Sequence, residues 1–439
     1  MTVSLYEAQP AGRHAAAPEG GLLRRVYAPR ACDALAYSMA TYAMPLVVLA
    51  STGSASLTGL AFALEWIPRV AAFGVAGALV DRSGAAIVCF LASLMRAVLV
   101  AGAAVALVLV PPGTLATVLV MVLAAVTGAL TQFSFIANEA VGAIASRHSD
   151  GPTHKVQSVL IGIDQTATLI GPALGGVLLL IGPTWMLACL SLLSFLSAGL
   201  ALQTPSTPLR GTRQGASRPG GGLREGWQTL RSLPPLRRLV AGLACSNLML
   251  GLLQSASPVL VEHRFGRSPA AAGVLWSVTA AATLVAVACC RAALDRLGLW
   301  GVGIISSTVA AAACLAVSEA PSYSGYTALV SLFVAADGGL TIVLRTVRSQ
   351  VIPPAAFGST LSLTILLLLL PYPLAGIVLA VTPADHLTDA LRACAVLQAV
   401  ALLVTFLRLR NDPALQRVPQ GLEAAGRETG EEVPEGAGR

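Results

Sequence analysis

Several ionisable side chains of this sequence lie inside long apolar stretches. They are Asp33, Glu65, Arg69, Arg96, Glu139, Asp164, Asp337 and Arg345. A charged group at the centre of a bilayer costs at least about 2.5–3.5 kcal/mol, so each of these groups needs a partner or a water-filled cavity. Such groups form ion pairs, contact a polar solute, or bind and release protons.

Two of these charges share one helical face, because Glu65 and Arg69 are four residues apart with Pro68 between them. The spacing predicts an ion pair within one helix, for which a structural role and a substrate contact are both open. Arg96 lies deep inside the third apolar stretch. This position predicts that Arg96 forms an ion pair, mainly structural in role, with an acidic group of another helix.

The composition indicates which elements must position these side chains. Hydrophobic residues make up 55% of the chain and charged residues 11%, whereas soluble domains carry roughly 25% charged residues. Stretches long enough to cross about 30 Å of hydrocarbon lie at 30–50, 56–80, 86–109, 115–145, 156–181, 183–203, 237–261, 269–293, 299–318, 324–350, 356–381 and 388–408. We therefore expect an all-α integral membrane protein with twelve transmembrane helices.

Polar segments divide the chain into five parts. We expect an N-terminal cytoplasmic tail at 1–29, a six-helix bundle at 30–203 and a cytoplasmic linker at 204–236. A second six-helix bundle follows at 237–410, and a tail at 411–439 has the composition of a disordered segment.

Basic residues are unequally distributed between the two ends of the spans. One end carries Arg24, Arg82, Arg147, Lys155, Arg296, Arg348, Arg408 and the arginines of the linker, whereas loops 51–55, 110–114, 182–184 and 319–323 carry no Lys or Arg. Arg264, Arg267 and Arg392 are exceptions. The positive-inside rule predicts a multi-pass protein of the cytoplasmic (inner) membrane with both termini in the cytoplasm. The net charge of +7 lies in short gaps between spans, which excludes a nucleic-acid-binding domain.

An internal repeat supports the division into halves. After the second span the chain reads Gly77-Ala-Leu-Val-Asp81-Arg82-Ser-Gly84, and after the eighth it reads Arg291-Ala-Ala-Leu-Asp295-Arg296-Leu-Gly298. Repeats of this kind build transporters whose substrate site lies at the membrane midplane, between the two halves.

These residues resemble the major facilitator superfamily over about positions 30–410, and the segment from Gly77 to Gly84 is similar to the family's motif between spans two and three. The family continues this motif with basic residues, where this chain has Ala85 and Ala86. The resemblance implies that the loop latches the cytoplasmic side shut when the cavity faces outward. The implied gating residues are Gly77, Asp81, Arg82, Gly84, Asp295 and Arg296.

The fifth span contains Gly171-Pro172-Ala-Leu-Gly175-Gly176, which is similar to the motif of exporters that exchange substrate for protons. The alternative is a kinked helix interface made of small residues. The stretch from Asp33 to Gly59, and Ile352 to Gly358 after the tenth span, resemble the branch that includes siderophore and macrolide exporters.

In this superfamily spans one, four, seven and ten line the cavity. The resemblance therefore implies the wall residues Asp33, Asn138, Glu139, Asn247, Gln254 and Asp337, to which Glu65 and Arg69 are added as substrate contacts. A carboxylate in a low-dielectric cavity can exchange protons near neutral pH. The proton-coupling candidates are Asp33, Glu139 and Asp164, and the alternative for each is a satisfied interhelical hydrogen bond.

We therefore expect a secondary active transporter, a monomer without cofactor or metal, that exports a small organic solute such as a drug, siderophore or other chelator in exchange for protons. An importer or a metal-ion exporter of the same fold is the alternative, and a membrane-embedded enzyme or a sensor is more remote. Asp385, His386 and Asp389 have spacing compatible with a metal, but a solvated helix start accounts for them better.

The basic-residue asymmetry leads to a test of topology. Single cysteines replacing Gly113 and Ser322 in a cysteine-free background should react with a membrane-impermeant maleimide in intact cells. A cysteine replacing Gly215 should react only after the cells are opened. Reaction at position 215 in intact cells would reverse the assigned orientation.

Overall fold

The computed structural model describes residues 22–111, 113–148, 153–203, 221–353, 356–410 and 412. Within these residues the chain is all-helical, as the sequence predicts, and 12 helical segments are long and apolar enough to cross a membrane. These spans are, in order, Leu23–Thr52, Ala55–Ser83, Ala85–Leu109, Thr114–Ala145, Ser158–Ile181, Pro183–Ala201, Pro234–His263, Pro269–Cys290, Arg296–Val317, Tyr323–Val351, Phe357–Val381 and Ala384–Leu409. Most of both predicted tails and the first half of the predicted linker lie outside the described residues.

Several helices differ in detail from these spans. Span 1 is a π-helical turn, Leu23–Tyr27, followed by an α-helix, Ala28–Thr52. The helices of spans 4 and 5 are Thr114–His148 and Thr153–Ile181. Spans 8 and 9 lie within Pro269–Val317 and are separated by Gly298, whose backbone is not helical. Span 11 consists of Phe357–Leu369 and Pro371–Val381, and span 12 of Ala384–His386 and Leu387–Leu409.

A helix lies in the second half of the predicted linker, at Gly221–Ser232. It packs closely against span 11. A Cβ added to Gly226 would lie only 2.5 Å from the carbonyl oxygen of Ser359 in that span. Span 7 then begins at Pro234, three residues before the predicted start, since a proline is well accommodated in the first turn of a helix. We call the side of the molecule that carries this helix the linker face.

The repeated glycine motif produces the same backbone turn in both halves. Gly84, between spans 2 and 3, has φ 88°, and Gly298, between spans 8 and 9, has φ 68°. Only glycine adopts positive φ at little cost, which explains why both copies of the motif end on this residue. The repeated motif therefore forms a glycine turn in each half.

On the face opposite the linker, the two halves meet through glycines. In span 2, a Cβ on Gly59 would lie 2.7 Å from the carbonyl oxygen of Gly376 in span 11. In span 8, a Cβ on Gly273 would lie 2.3 Å from the carbonyl oxygen of Pro172 in span 5. We call these two contacts the glycine seam. The absence of side chains lets the backbones touch and closes this face.

The three arginines that break the charge asymmetry have local partners on this opposite face. Arg264 donates to the carbonyl oxygens of Ser318 and Ala320, which end span 9, and Arg267 lies over the Tyr323 ring. Arg392 forms an ion pair with Glu319 at 2.6 Å, and the hydrogen bond from Arg392 holds the pKa of this carboxyl below its usual value.

The glycine seam predicts a stability difference between two glycine-to-alanine variants. Gly273→Ala should lower the free energy of unfolding by about 1–3 kcal/mol, because the new methyl group overlaps the Pro172 carbonyl. Gly102→Ala, in span 3, is the matched control, since a Cβ there meets no atom within 4 Å. Thermal unfolding in detergent measures both variants, and equal melting temperatures would contradict a closed seam.

Candidate functional site

The first polar cluster connects four spans through Arg96. Its Nη2 donates to Oδ1 of Asp33 at 2.5 Å, and its Nε donates to Ser194 in span 6 at 2.9 Å. The other oxygen of Asp33 accepts from Asn138 in span 4 at 2.8 Å. The acidic partner predicted for Arg96 is therefore present, and it is Asp33, itself a predicted proton-coupling residue.

A second cluster lies one helical turn away on span 1, around Arg30. Its guanidinium forms ion pairs with Glu139 of span 4 and Asp164 of span 5, and its Nε lies 2.9 Å from Oδ1 of Asp164. The Arg30 side chain is 7% exposed, whereas that of Glu139 is 53% exposed. The sequence analysis did not identify Arg30. Its three-residue spacing from Asp33 was the available signal.

These two clusters border a cavity of about 140 Å³ in the linker-side half of spans 1, 4 and 5. Its lining residues are Arg30, Asp33, Ala34, Tyr37, Phe135, Asn138, Asp164 and Thr168. The structure thus brings together the three predicted proton-coupling residues, with Glu139 reaching the cavity through its ion pair with Arg30.

The third cluster is the predicted ion pair between Glu65 and Arg69. The Nη2 of Arg69 lies 2.7 Å from Oε1 of Glu65, and the side chains are 1% and 2% exposed for Arg69 and Glu65, respectively. The guanidinium is enclosed by aromatic rings, at 4.4 Å from the Trp66 centroid and 5.1 Å from that of Tyr37. Thr41 of span 1 accepts a longer hydrogen bond from Arg69, at 3.4 Å.

Aromatic contacts extend this cluster to the other half of the molecule. Trp66 stacks on Tyr372 of span 11 with the ring centroids 4.2 Å apart. Tyr42 lies 5.1 Å from Trp276 of span 8 and is hydrogen-bonded to the predicted cavity residue Gln254. The sequence analysis did not identify these aromatic residues, because no periodicity relates residues so far apart in the chain.

The remaining predicted cavity residues, Asp337 and Asn247, lie in the second half of the chain. Asp337 is buried and accepts a hydrogen bond from Ser246 at 2.6 Å. Asn247 donates to the carbonyl oxygen of Leu368 at 2.8 Å. This carbonyl is next to the break in span 11, where Pro371 supplies no backbone N–H.

The predicted gating residues lie in two places. Asp81, Arg82 and Arg296 are exposed on the linker face, and an added Cβ on Gly77 would meet no atom within 4 Å. The side chain of Asp295 lies outside the described residues. Gly171, Pro172, Gly175 and Gly176 are buried in span 5.

The contacts of span 5 place its motif at two helix interfaces. A Cβ on Gly171 would lie 2.6 Å from the Ser38 side chain of span 1, and one on Gly176 would lie 3.1 Å from the Pro269 carbonyl oxygen of span 8. The motif therefore contacts span 1 and, through Pro172 and Gly176, span 8 of the other half.

The residues considered for a metal lie on the outside of the molecule. The side chains of His386 and Asp389 are 70% and 64% exposed, and Asp389 also pairs with Arg392 at 3.5 Å. These contacts describe a solvated helix start with alternating charges.

A family model described as Major Facilitator Superfamily matches residues 30–376. No curated protein sequence matches the chain at a significant level. Among solved structures, a mutant of the nucleoside transporter NupG is similar with a TM-score of 0.70 and 12% identity, covering 86% of this chain and 99% of that one.

Two further structures are similar over comparable lengths. A bacterial homologue of the iron transporter ferroportin, in an inward-facing state, has a TM-score of 0.68 and 15% identity, and the match covers 88% of this chain and 98% of that one. The xylose transporter XylE from E. coli, in an inward-open conformation, has a TM-score of 0.65 and 15% identity, and the match covers 86% of this chain and 94% of that one. At these identities the likeness establishes the fold alone.

Proposed function

We propose, from the premise that this chain belongs to the Major Facilitator Superfamily, that it exports a small organic solute in exchange for protons by alternating access. The family and the fold make it a transporter of the membrane and not an enzyme. The proposal of proton-coupled export rests on one observation, the balance of charges around the linker-side cavity.

The charge balance follows from the contacts of the first two clusters. The three carboxylates of Asp33, Glu139 and Asp164 meet the two guanidiniums of Arg30 and Arg96. Among the described residues of these two clusters there is one carboxylate more than there are guanidiniums, and one bound proton would neutralise the difference. Asp33 already has Arg96 and Asn138, whereas Glu139 and Asp164 share one arginine. We therefore assign the proton to the Glu139–Asp164 pair and a positioning role to Asp33.

The direction of transport is proposed from the two faces. If the linker face is cytoplasmic, as the arginine distribution predicts, the cavity opens toward the cytoplasm and the glycine seam closes the outer side. Protons would then enter from outside, bind the Glu139–Asp164 pair and leave on the cytoplasmic side as solute is loaded for export. We place the protein in the cytoplasmic membrane as a monomer with both termini inside.

The identity of the solute and the alternative transport functions are proposals as well. The proposal of a drug, siderophore or other chelator rests on the sequence resemblance of the stretches from Asp33 to Gly59 and from Ile352 to Gly358. Import, or export of a metal ion, by the same fold is the alternative; the solved structures of similar fold include a xylose transporter and a bacterial homologue of an iron transporter.

Proton coupling is tested by neutralising the shared pair. In proteoliposomes with an imposed pH gradient, Glu139→Gln and Asp164→Asn should abolish uphill accumulation of a macrolide or siderophore to which expression gives resistance. Downhill exchange should persist, because the cavity and the glycine seam are unchanged. Glu319→Gln, on the exposed opposite face, is the control and should accumulate solute like wild type. Equal accumulation by wild type with and without the gradient would exclude proton coupling.

The latch is tested by Asp81→Asn. In the conformation described, Asp81 is exposed and away from the cavity, so we propose that it acts only when the linker face closes. The substitution should slow transport several-fold and leave solute binding unchanged. If binding falls in proportion to transport, Asp81 belongs to the site or to the folding core.

A further inference from the structure

The buried ion pair of span 2 has more hydrogen-bonding capacity than the protein uses. We infer that Glu65 and Arg69 form the solute site of the proposed exporter, and that this site takes small zwitterions. Arg69 binds the carboxylate of the solute and Glu65 binds its ammonium group. This inference rests on the proposed function and gives its solute a chemical class.

The first evidence is the contrast between two buried arginines. Both Arg69 and Arg96 are almost completely buried. The three guanidinium nitrogens of Arg96 all donate, to Ser194, to Thr131 and Ser134, and to Asp33. In Arg69 the Nε and Nη1 have no hydrogen-bond partner among the described residues. Buried charged groups in native proteins are normally satisfied, so Arg96 is built as a structural residue and Arg69 is not.

Two neighbours of Arg69 also have unused hydrogen-bonding capacity. Oε2 of Glu65 and Nε1 of Trp66 are also buried without a partner among the described residues. Trp66 is 4% exposed, so these atoms lie in the interior and not at a surface. A donor set of guanidinium and indole N–H groups stands beside a free carboxylate oxygen, and together they match the two ends of a zwitterion.

The position of the pair suits a transported solute. Glu65 and Arg69 lie near the middle of the helix Ala55–Ser83, and transporters built from two repeats bind their substrates at this level of their spans. Tyr37 lines the linker-side cavity and also covers the guanidinium of Arg69. A solute in the cavity therefore reaches the pair by displacing one aromatic ring.

The opposite side of the pair is closed by the other half of the molecule. Trp66 stacks on Tyr372 of span 11, next to the glycine contact between spans 2 and 11. Separation of the halves on this face would separate the two rings and expose the pair there. The pair would then be reached from one side at a time, as alternating access requires.

The chemistry of the pair selects the class of solute. The charged groups of Glu65 and Arg69 lie 2.7 Å apart, so the neighbouring ammonium and carboxylate groups of one amino acid can contact both side chains. A simple anion would meet the repulsion of Glu65, and a simple cation that of Arg69. Because both ends of the solute form charge-assisted hydrogen bonds, each of its charges contributes to the binding affinity.

The test measures binding to the purified full-length protein in nanodiscs at constant pH. The probes are alanine, leucine and phenylalanine, each compared with the amine that lacks its carboxylate and the acid that lacks its amino group. Wild type should bind an amino acid roughly ten- to a hundredfold more tightly than its matched amine or acid. Binding of none of the three amino acids, or equal binding of all three forms, would overturn the inference.

Single substitutions assign each charge to its partner. Arg69→Gln should make the amino acid and the amine bind equally, and Glu65→Gln should make the amino acid and the acid bind equally. The double variant keeps the charge balance and should lose both preferences while remaining monodisperse. The control is the double neutral variant of the exposed Glu319–Arg392 pair, which should bind like wild type. Wild-type selectivity in either single variant would contradict the assignment.

The binding test and the gradient test fail independently. Zwitterion binding that persists without gradient-driven transport would keep this site and remove proton coupling. Gradient-driven export of a solute without zwitterion binding would keep the proposed function and remove this site.

Discussion

Hydrocarbon offers no hydrogen-bond partner, and this constraint determines where the charged side chains of the protein lie. Asp33, Arg96 and Arg30 each occupy a position on a span where another span supplies the opposite charge. These pairs connect spans 1, 3, 4 and 5, and Arg96 adds span 6 through Ser194. Removing one partner would leave an uncompensated buried charge, which costs several kcal/mol. Five of the first six spans, all except span 2, are therefore held together by these charged contacts.

The contacts between the two halves are of a different kind. The three intramembrane ion-pair sites described above all lie within the first six spans. The contacts that join the halves include the glycine seam and the aromatic pairs Trp66–Tyr372 and Tyr42–Trp276. Apolar contacts exchange for lipid or solute contacts at little cost, whereas separated ion pairs do not. This division lets the halves part on one face without disturbing the charge clusters.

The sequence was sufficient for features that depend on neighbouring residues. Hydropathy locates the twelve spans, the four-residue spacing predicts the Glu65–Arg69 pair, and the repeated motif predicts the turns at Gly84 and Gly298. It also predicts that Arg96 has an acidic partner. It could not identify Asp33 as that partner, nor assign Arg30 to two carboxylates, because helix rotation and neighbour choice are set by tertiary packing. The stacking of Trp66 on Tyr372 is undetectable in one sequence for the same reason.

The linker helix shows a second limit. Its segment, Gly221–Ser232, is too polar to be recognised as a span and was assigned to the linker as a whole. Gly226 and Leu230 form its buried side, and this side can be recognised only when the position of span 11 is known.

One face of span 1 connects the proposed proton site with the proposed solute site. Arg30, Asp33, Tyr37 and Thr41 follow one another at helical spacing, from the carboxylates of spans 4 and 5 to the Arg69 guanidinium. In the proposed mechanism, binding of a proton to the Glu139–Asp164 pair would weaken the hold of one carboxylate on Arg30. A small rotation of span 1 that follows would move Tyr37 and Thr41 relative to Arg69. Because both proposed sites use the same helix, the protonation state and the access of the solute would be coupled without any contact between proton and solute.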